Sequence, residues 1–205
     1  MNVIRNRVLL LLFVGFQFCV GTASAQTSVT ITEPAQVKIE DLFKQADVVA
    51  VMRTISGDLE HYPVAVYKAE VLKSFKGPAV GTKIFFGPYG GYSLGAEYLV
   101  FLRRSEKHIE PSDKSKNSGS TYGPLPSFYE VMYEGYSAMP LKYACVFDGQ
   151  DPAHQCDDGI KVNTYQVILP TQIRTFPPES DDVPNGDYKW IRKAAFISFL
   201  RTLAQ

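Results

Sequence analysis

Cysteine and histidine are scarce in this sequence, with three of each among 205 residues, and there is one tryptophan. The scarcity excludes a scaffold built on disulfides, and no C-x₂₋₄-C cluster of the zinc-binding kind occurs. An excess charge of one sign is also missing, because 21 Lys+Arg face 21 Asp+Glu. Nucleic acid is therefore not expected as a partner, since phosphate binding needs clustered surplus cations. Glycine-rich phosphate loops and dinucleotide fingerprints are absent too, so no cofactor and no metal are expected. What is there is globular in character: 45% hydrophobic, 13% aromatic and 20% charged residues, in a length that suits one domain.

The N-terminus reads as a signal peptide over residues 1–25. Arg5 and Arg7 precede an apolar run over residues 8–20, and Ala23-Ser24-Ala25 is an A-x-A cleavage site. The run falls short of the about 20 residues of a membrane span, and no later segment approaches that length. Cleavage after Ala25 removes 25 of 205 residues and leaves 180; it takes two arginines and no acid, so 19 basic residues then face 21 acidic ones, a net −2. Phe18 before Cys19 argues against a lipid anchor, and no Asn-x-Ser/Thr acceptor occurs. The expectation is a periplasmic or extracellular protein without a membrane span once processed.

Residues 26–38 are polar and read as a flexible lead-in. Ile39, Leu42, Phe43 and Ala46 then fall at i, i+3, i+4 and i+7, one face of a short helix. Strands are expected over 48–55, with a turn at Ser56-Gly57-Asp58, and over 64–75, 83–86 and 98–102. The chain from 103 to 127 is rich in Lys, Ser, Asn, Gly and Pro and reads as a polar, solvated insertion. Alternation resumes over 128–137, 141–147 and 161–169. Residues 39–170 thus form a mostly β domain, followed by a Pro-rich linker over 171–186. The segment 187–205 is expected to be a C-terminal helix, capped by Asp187 and running from Tyr188 to Leu203.

With Cys19 lost in the signal, Cys145 and Cys156 remain in an oxidising compartment and are expected to pair, stapling a hairpin. The competing reading, a metal site that adds His154, Asp157 and Asp158, lacks zinc spacing. The acids Asp148, Asp151, Asp157 and Asp158 also lack the pattern of a calcium loop. Gly91-Tyr92-Ser93-Leu94-Gly95 matches the G-x-S-x-G nucleophile elbow, which requires a strand turning sharply into a helix. A strand is expected after it instead. A small exported serine hydrolase using Ser93, with His108 or His154 as base, is the alternative function. His61 stands beside Tyr62-Pro63 with no evident carboxylate partner.

Three motifs follow in order. Ala46-Asp47-Val48-Val49-Ala50-Val51 comes after the short helix. Tyr67-Lys68-Ala69-Glu70-Val71-Leu72-Lys73-Ser74-Phe75-Lys76-Gly77 follows, and Gly95-Ala96-Glu97-Tyr98-Leu99-Val100-Phe101 closes a glycine-rich hairpin. The series resembles the netrin-like module shared with tissue inhibitors of metalloproteinases, particularly its bacterial exported relatives. The resemblance implies an OB-fold-like small β-barrel with a short N-terminal helix and a C-terminal helix packed on it. Inhibitory members grip a protease zinc through an N-terminal Cys-x-Cys; Gln26-Thr27-Ser28 has no cysteine, so no inhibitory residue carries over. The expected function is an exported, non-enzymatic binding module for a protein or cell-envelope ligand. An aromatic edge of Tyr89, Tyr92, Tyr129 and Tyr133 is expected to make the contact.

Overall fold

In the computed structural model residues 36–112, 122–125, 127–133, 136–146, 155–176 and 187–205 are described, with backbone alone at 144–146 and 155–156. The segment expected to be a signal peptide, the expected lead-in up to residue 35, and His154, Asp148 and Asp151 lie outside them. The end of the lead-in is structured, because Val37–Lys38 forms a strand, β1. The apolar face read from residues 39–46 becomes helix α1 (Ile39–Gln45), with Ile39, Leu42, Phe43 and Ala46 all buried. Seven residues are too few for a helix to persist alone. Packing holds this one, and so does Lys76, whose ammonium donates to the carbonyls of Phe43 and Lys44 at 3.4 and 3.1 Å. A cation there also faces the negative end of the helix dipole.

Five strands close a barrel: β2 (Val48–Asp58), β3 (Val66–Lys76), β4 (Lys83–Gly87), β5 (Glu97–Arg104) and β6 (Tyr129–Val131). They pair in the ring β2-β3-β4-β6-β5 and back to β2, antiparallel throughout except for the parallel β4–β6 contact. With one helix before it and one at the C-terminal end, this is an OB-fold-like small barrel. Alternation sends Val48, Ala50 and Met52 of β2, Ile84 and Phe86 of β4, and Tyr98, Val100 and Leu102 of β5 into the interior. Val49, Val51, Leu99 and Phe101 face outward into a second core. That double burial explains why residues 48–52 are apolar without a break. The expected turn at Ser56-Gly57-Asp58 is instead the end of β2, paired with residues 66–68 of β3 after a register shift.

The second core lies under further strands added to the barrel sheet. β7 (Ala138–Val146) pairs with β5, and β8 (Gln155–Asn163) with β7. β9 (Val167–Ile168) pairs in parallel with β1. β10 (Thr175–Phe176), within the expected linker, pairs with β11 (Tyr188–Arg192), which pairs with β8. The C-terminal segment is therefore strand first, and helix α2 (Lys193–Leu203) begins five residues later than expected. Register with β8 decides this: Trp190 lies over Gly159, where a Cβ would come within 2.8 Å of its ring. Phe196 and Leu200 of α2 pack in the second core with Ile191, which lies on the other face of β11 from Trp190. No helix among the described residues is long and apolar enough to cross a membrane.

Where it is described, the insertion after β5 exposes Glu106, Lys107, His108 and Glu110 and packs through a few apolar residues. Ile109 and Leu125 bridge each other and, with Phe128, form a small core against Tyr62 and Val66. Tyr62 donates its hydroxyl to the Gly123 carbonyl at 2.6 Å, and Tyr122 donates to Ser56 Oγ at 2.6 Å. Four apolar residues spaced through a polar stretch suffice to fold it back onto the outer face of β3 and β4.

Candidate functional site: the open seam of the barrel

The barrel closes through two β4–β6 register pairs, Phe86↔Tyr129 and Gly87↔Glu130. Below them the strands part, and a cleft of about 630 Å³ opens among Asp47, Lys83, Ile84, Phe85, Arg104 and Tyr129. That volume lies in the range of small-ligand sites. Its floor is apolar, since Val48 and Ile84 are core residues of the barrel interior. Its rim is polar and built from strand ends: the start of β2 and β4, the end of β5, and the start of β6.

Asp47 organises this end of the barrel. Its N–H donates to the Leu102 carbonyl at 2.8 Å, and its carboxylate accepts the Arg104 N–H at 2.7 Å. Gly77, at φ +96°, lies so near that a Cβ would come within 2.8 Å of the Asp47 carbonyl oxygen. Two of the three sequence motifs thus meet here as structure, the aspartate of one against the glycine of the other. The side chains of Lys83 and Arg104 have no hydrogen bond or ion pair among the described residues. Glu70 stands across from Lys83 in the ladder without forming an ion pair with it. Two cations consequently share the rim with one acid that is already an acceptor.

The four tyrosines expected to form one edge are placed apart. Tyr92 packs edge-on against Tyr67, Phe86 and Tyr98 with ring centroids 5.0, 5.0 and 5.2 Å away, closing the opposite end of the barrel. Burial, and then the neighbouring phenols of Tyr98, Tyr67 and Tyr89, push its hydroxyl well above the ordinary tyrosine range. Tyr89 belongs to that end and is 36% exposed. Tyr129 lines the seam cleft. Tyr133, at φ +49°, donates to Gln45 Oε1 at 3.1 Å and lines a separate cleft with Arg103 and Glu130. Lys83 and Arg104, which the seam does bring together, carry no local sequence signal. Only the ring order of the strands, which sets the start of β4 and the end of β5 on either side of β6, could have found them.

Ser93 is exposed in the turn that leads directly into β5, and its N–H donates to Tyr98 Oη at 2.9 Å. The helix that a nucleophile elbow needs does not follow it. His61 does have a carboxylate partner: Asp58, buried, lies 3.1 Å from His61 Nδ1 and also accepts the backbone N–H groups of Glu60 and His61. The Ser112 N–H donates to the His61 carbonyl at 2.8 Å, so this pair ties the β2–β3 connection to the insertion. Cys145 and Cys156 stand directly opposite one another in the β7–β8 register. No group of three or more His, Cys, Asp or Glu is placed to hold a metal among the described residues. Compared with known proteins, the chain matches no family model, no curated protein and no solved structure.

Proposed function

We propose that the chain is an exported, non-enzymatic binding module of netrin-like, OB-fold type that takes a protein or cell-envelope ligand at the seam of its barrel. The observation that carries the reading is the seam cleft itself, with its apolar floor and the cations Lys83 and Arg104, unpaired among the described residues. OB-folds commonly bind across the face of their second and third strands and the flanking loops. Here that face, on β3 and β4, is covered by the described part of the insertion, which favours the seam. Gly77 packs against Asp47, and Lys76 beside it holds the end of α1, which gives the netrin-like motifs a shared structural purpose and supports the family reading. Export through residues 1–25 and a Cys145–Cys156 disulfide belong to the same proposal.

The test is recovery from native envelope extract by the mature chain, wild type against a Lys83→Glu/Arg104→Glu variant that melts at the same temperature. A ligand held by wild type and released by the variant is the expected result. Equal recovery by both sinks the seam as the binding site.

A further inference from the structure

Resting on that binding role, we infer that the seam takes an extended segment of a partner protein as an added strand and reads a carboxylate on it. The backbone supplies the first argument. Lys83, Ile84 and Phe85 of β4 are paired on the β3 side, with Glu70, Ala69 and Lys68, while the β6 pairs begin at Phe86. The Thr82 carbonyl accepts the Val71 N–H at 3.0 Å and so faces β3. Ladder alternation then turns the N–H and C=O of Lys83 the other way, into the seam. A closed barrel has no strand edge, and this short opening restores one where an incoming strand can pair.

Side chains supply the second argument. A strand presents successive residues to opposite faces. One set would point down to Val48 and Ile84, and the other would lie at the rim beside Lys83 and Arg104. The rim carries two cations against the single acid Asp47, whose carboxylate already accepts the Arg104 N–H. Charge complementarity therefore selects an anionic side chain or a chain-terminal carboxylate, both of which offer the same two oxygens. Tyr129 gives the strand an aromatic wall on the far side.

The probe is a hexapeptide alternating valine and glutamate, titrated into the mature chain while the amide resonances of Lys83, Ile84 and Phe85 are followed. Three comparison peptides carry glutamine for glutamate, N-methyl groups on alternate residues, or an amidated C-terminus. The glutamate peptide is expected to shift those amides and to bind about tenfold more tightly than its glutamine counterpart. N-methylation, which removes strand pairing while keeping charge, should abolish the shifts. Lys83→Glu/Arg104→Glu should erase the preference for glutamate. Loss of binding on amidation assigns the carboxylate to a chain terminus, and its retention assigns it to side chains; either supports the proposal. Equal binding of the glutamate and glutamine peptides that survives amidation, or indifference to N-methylation, overturns it. So does binding of octanoate with the same dependence on Lys83 and Arg104 when no peptide binds, because that assigns the cleft to a small amphiphile. If no peptide binds yet envelope capture still depends on Lys83 and Arg104, the added strand fails while the binding role stands. Capture indifferent to both residues defeats the binding role itself.

Discussion

Tyr92 shows how a single side chain can belong to the core rather than to a binding edge. Its ring touches Tyr67, Phe86 and Tyr98 edge-on, an arrangement worth about 0.5–1.5 kcal/mol per pair beyond area burial. Burial raises its hydroxyl, so the folded protein keeps a proton that the unfolded chain releases above about pH 10. Stability is then present in full below that pH and declines as pH rises beyond it, because the unfolded state binds fewer protons. Tyr92→Phe retains the ring contacts and should match wild type near neutrality. Urea midpoints followed from neutral to strongly alkaline pH should fall less steeply for the variant than for wild type. Parallel declines would mean that Tyr92 ionises freely in the fold. Tyr92 lies in the glycine-rich connection between β4 and β5, and nothing in its local sequence says that it closes one end of a barrel. The rim residues were less legible still: Asp47, Lys83 and Arg104 are separated by whole strands and meet only after the ring closes.

Elements were legible where their own residues decide them and obscure where a neighbour does. α1 and β2 through β5 follow from apolar spacing, since each buries a face that its own pattern marks out. Tyr188–Arg192 does not, because Trp190 and Ile191 fit a helical stripe equally well and it is pairing with β8 that makes them strand. The insertion is similar, with Ile109, Leu125 and Phe128 diluted among polar residues until Tyr62 and Val66 gather them. The β7–β8 hairpin depends on a neighbour in another way. β7 pairs with β5 over residues 138–141, and from Lys142 to Val146 its pairing is with β8. Cys145 and Cys156 stand opposite in that outer half. Directly opposed residues have Cα atoms about 4.5–5.5 Å apart, within the span a disulfide bridges. On the proposed export, protein recovered from the cell envelope and denatured should show no reactive thiol. Cys145→Ser should expose one thiol and lower stability by about 2–3 kcal/mol. Two reactive thiols in the wild-type protein would contradict the crosslink.

At the scale of the whole molecule, β2 and β5 are shared property. Their inward residues fill the barrel, and their outward residues, Val49, Val51, Leu99 and Phe101, fill the core that α1, α2, β8 and β11 cover. Removing the C-terminal layer would bare that second set to water, and fully exposing one such side chain costs about 1.5–3 kcal/mol. The barrel and the layer built on it should therefore unfold together. The sequence supplies its own reporter, because its one tryptophan, Trp190, is buried in β11 and belongs to the outer layer. The far-ultraviolet signal instead follows all the strands at once. Denaturant curves read by Trp190 fluorescence and by circular dichroism should coincide in midpoint and slope, the signature of a single cooperative transition. A fluorescence transition at lower denaturant would show the outer layer detaching from a barrel that survives it. In that event β2 and β5 would have to tolerate an exposed apolar face, and the tight coupling of the two cores through these strands would be wrong.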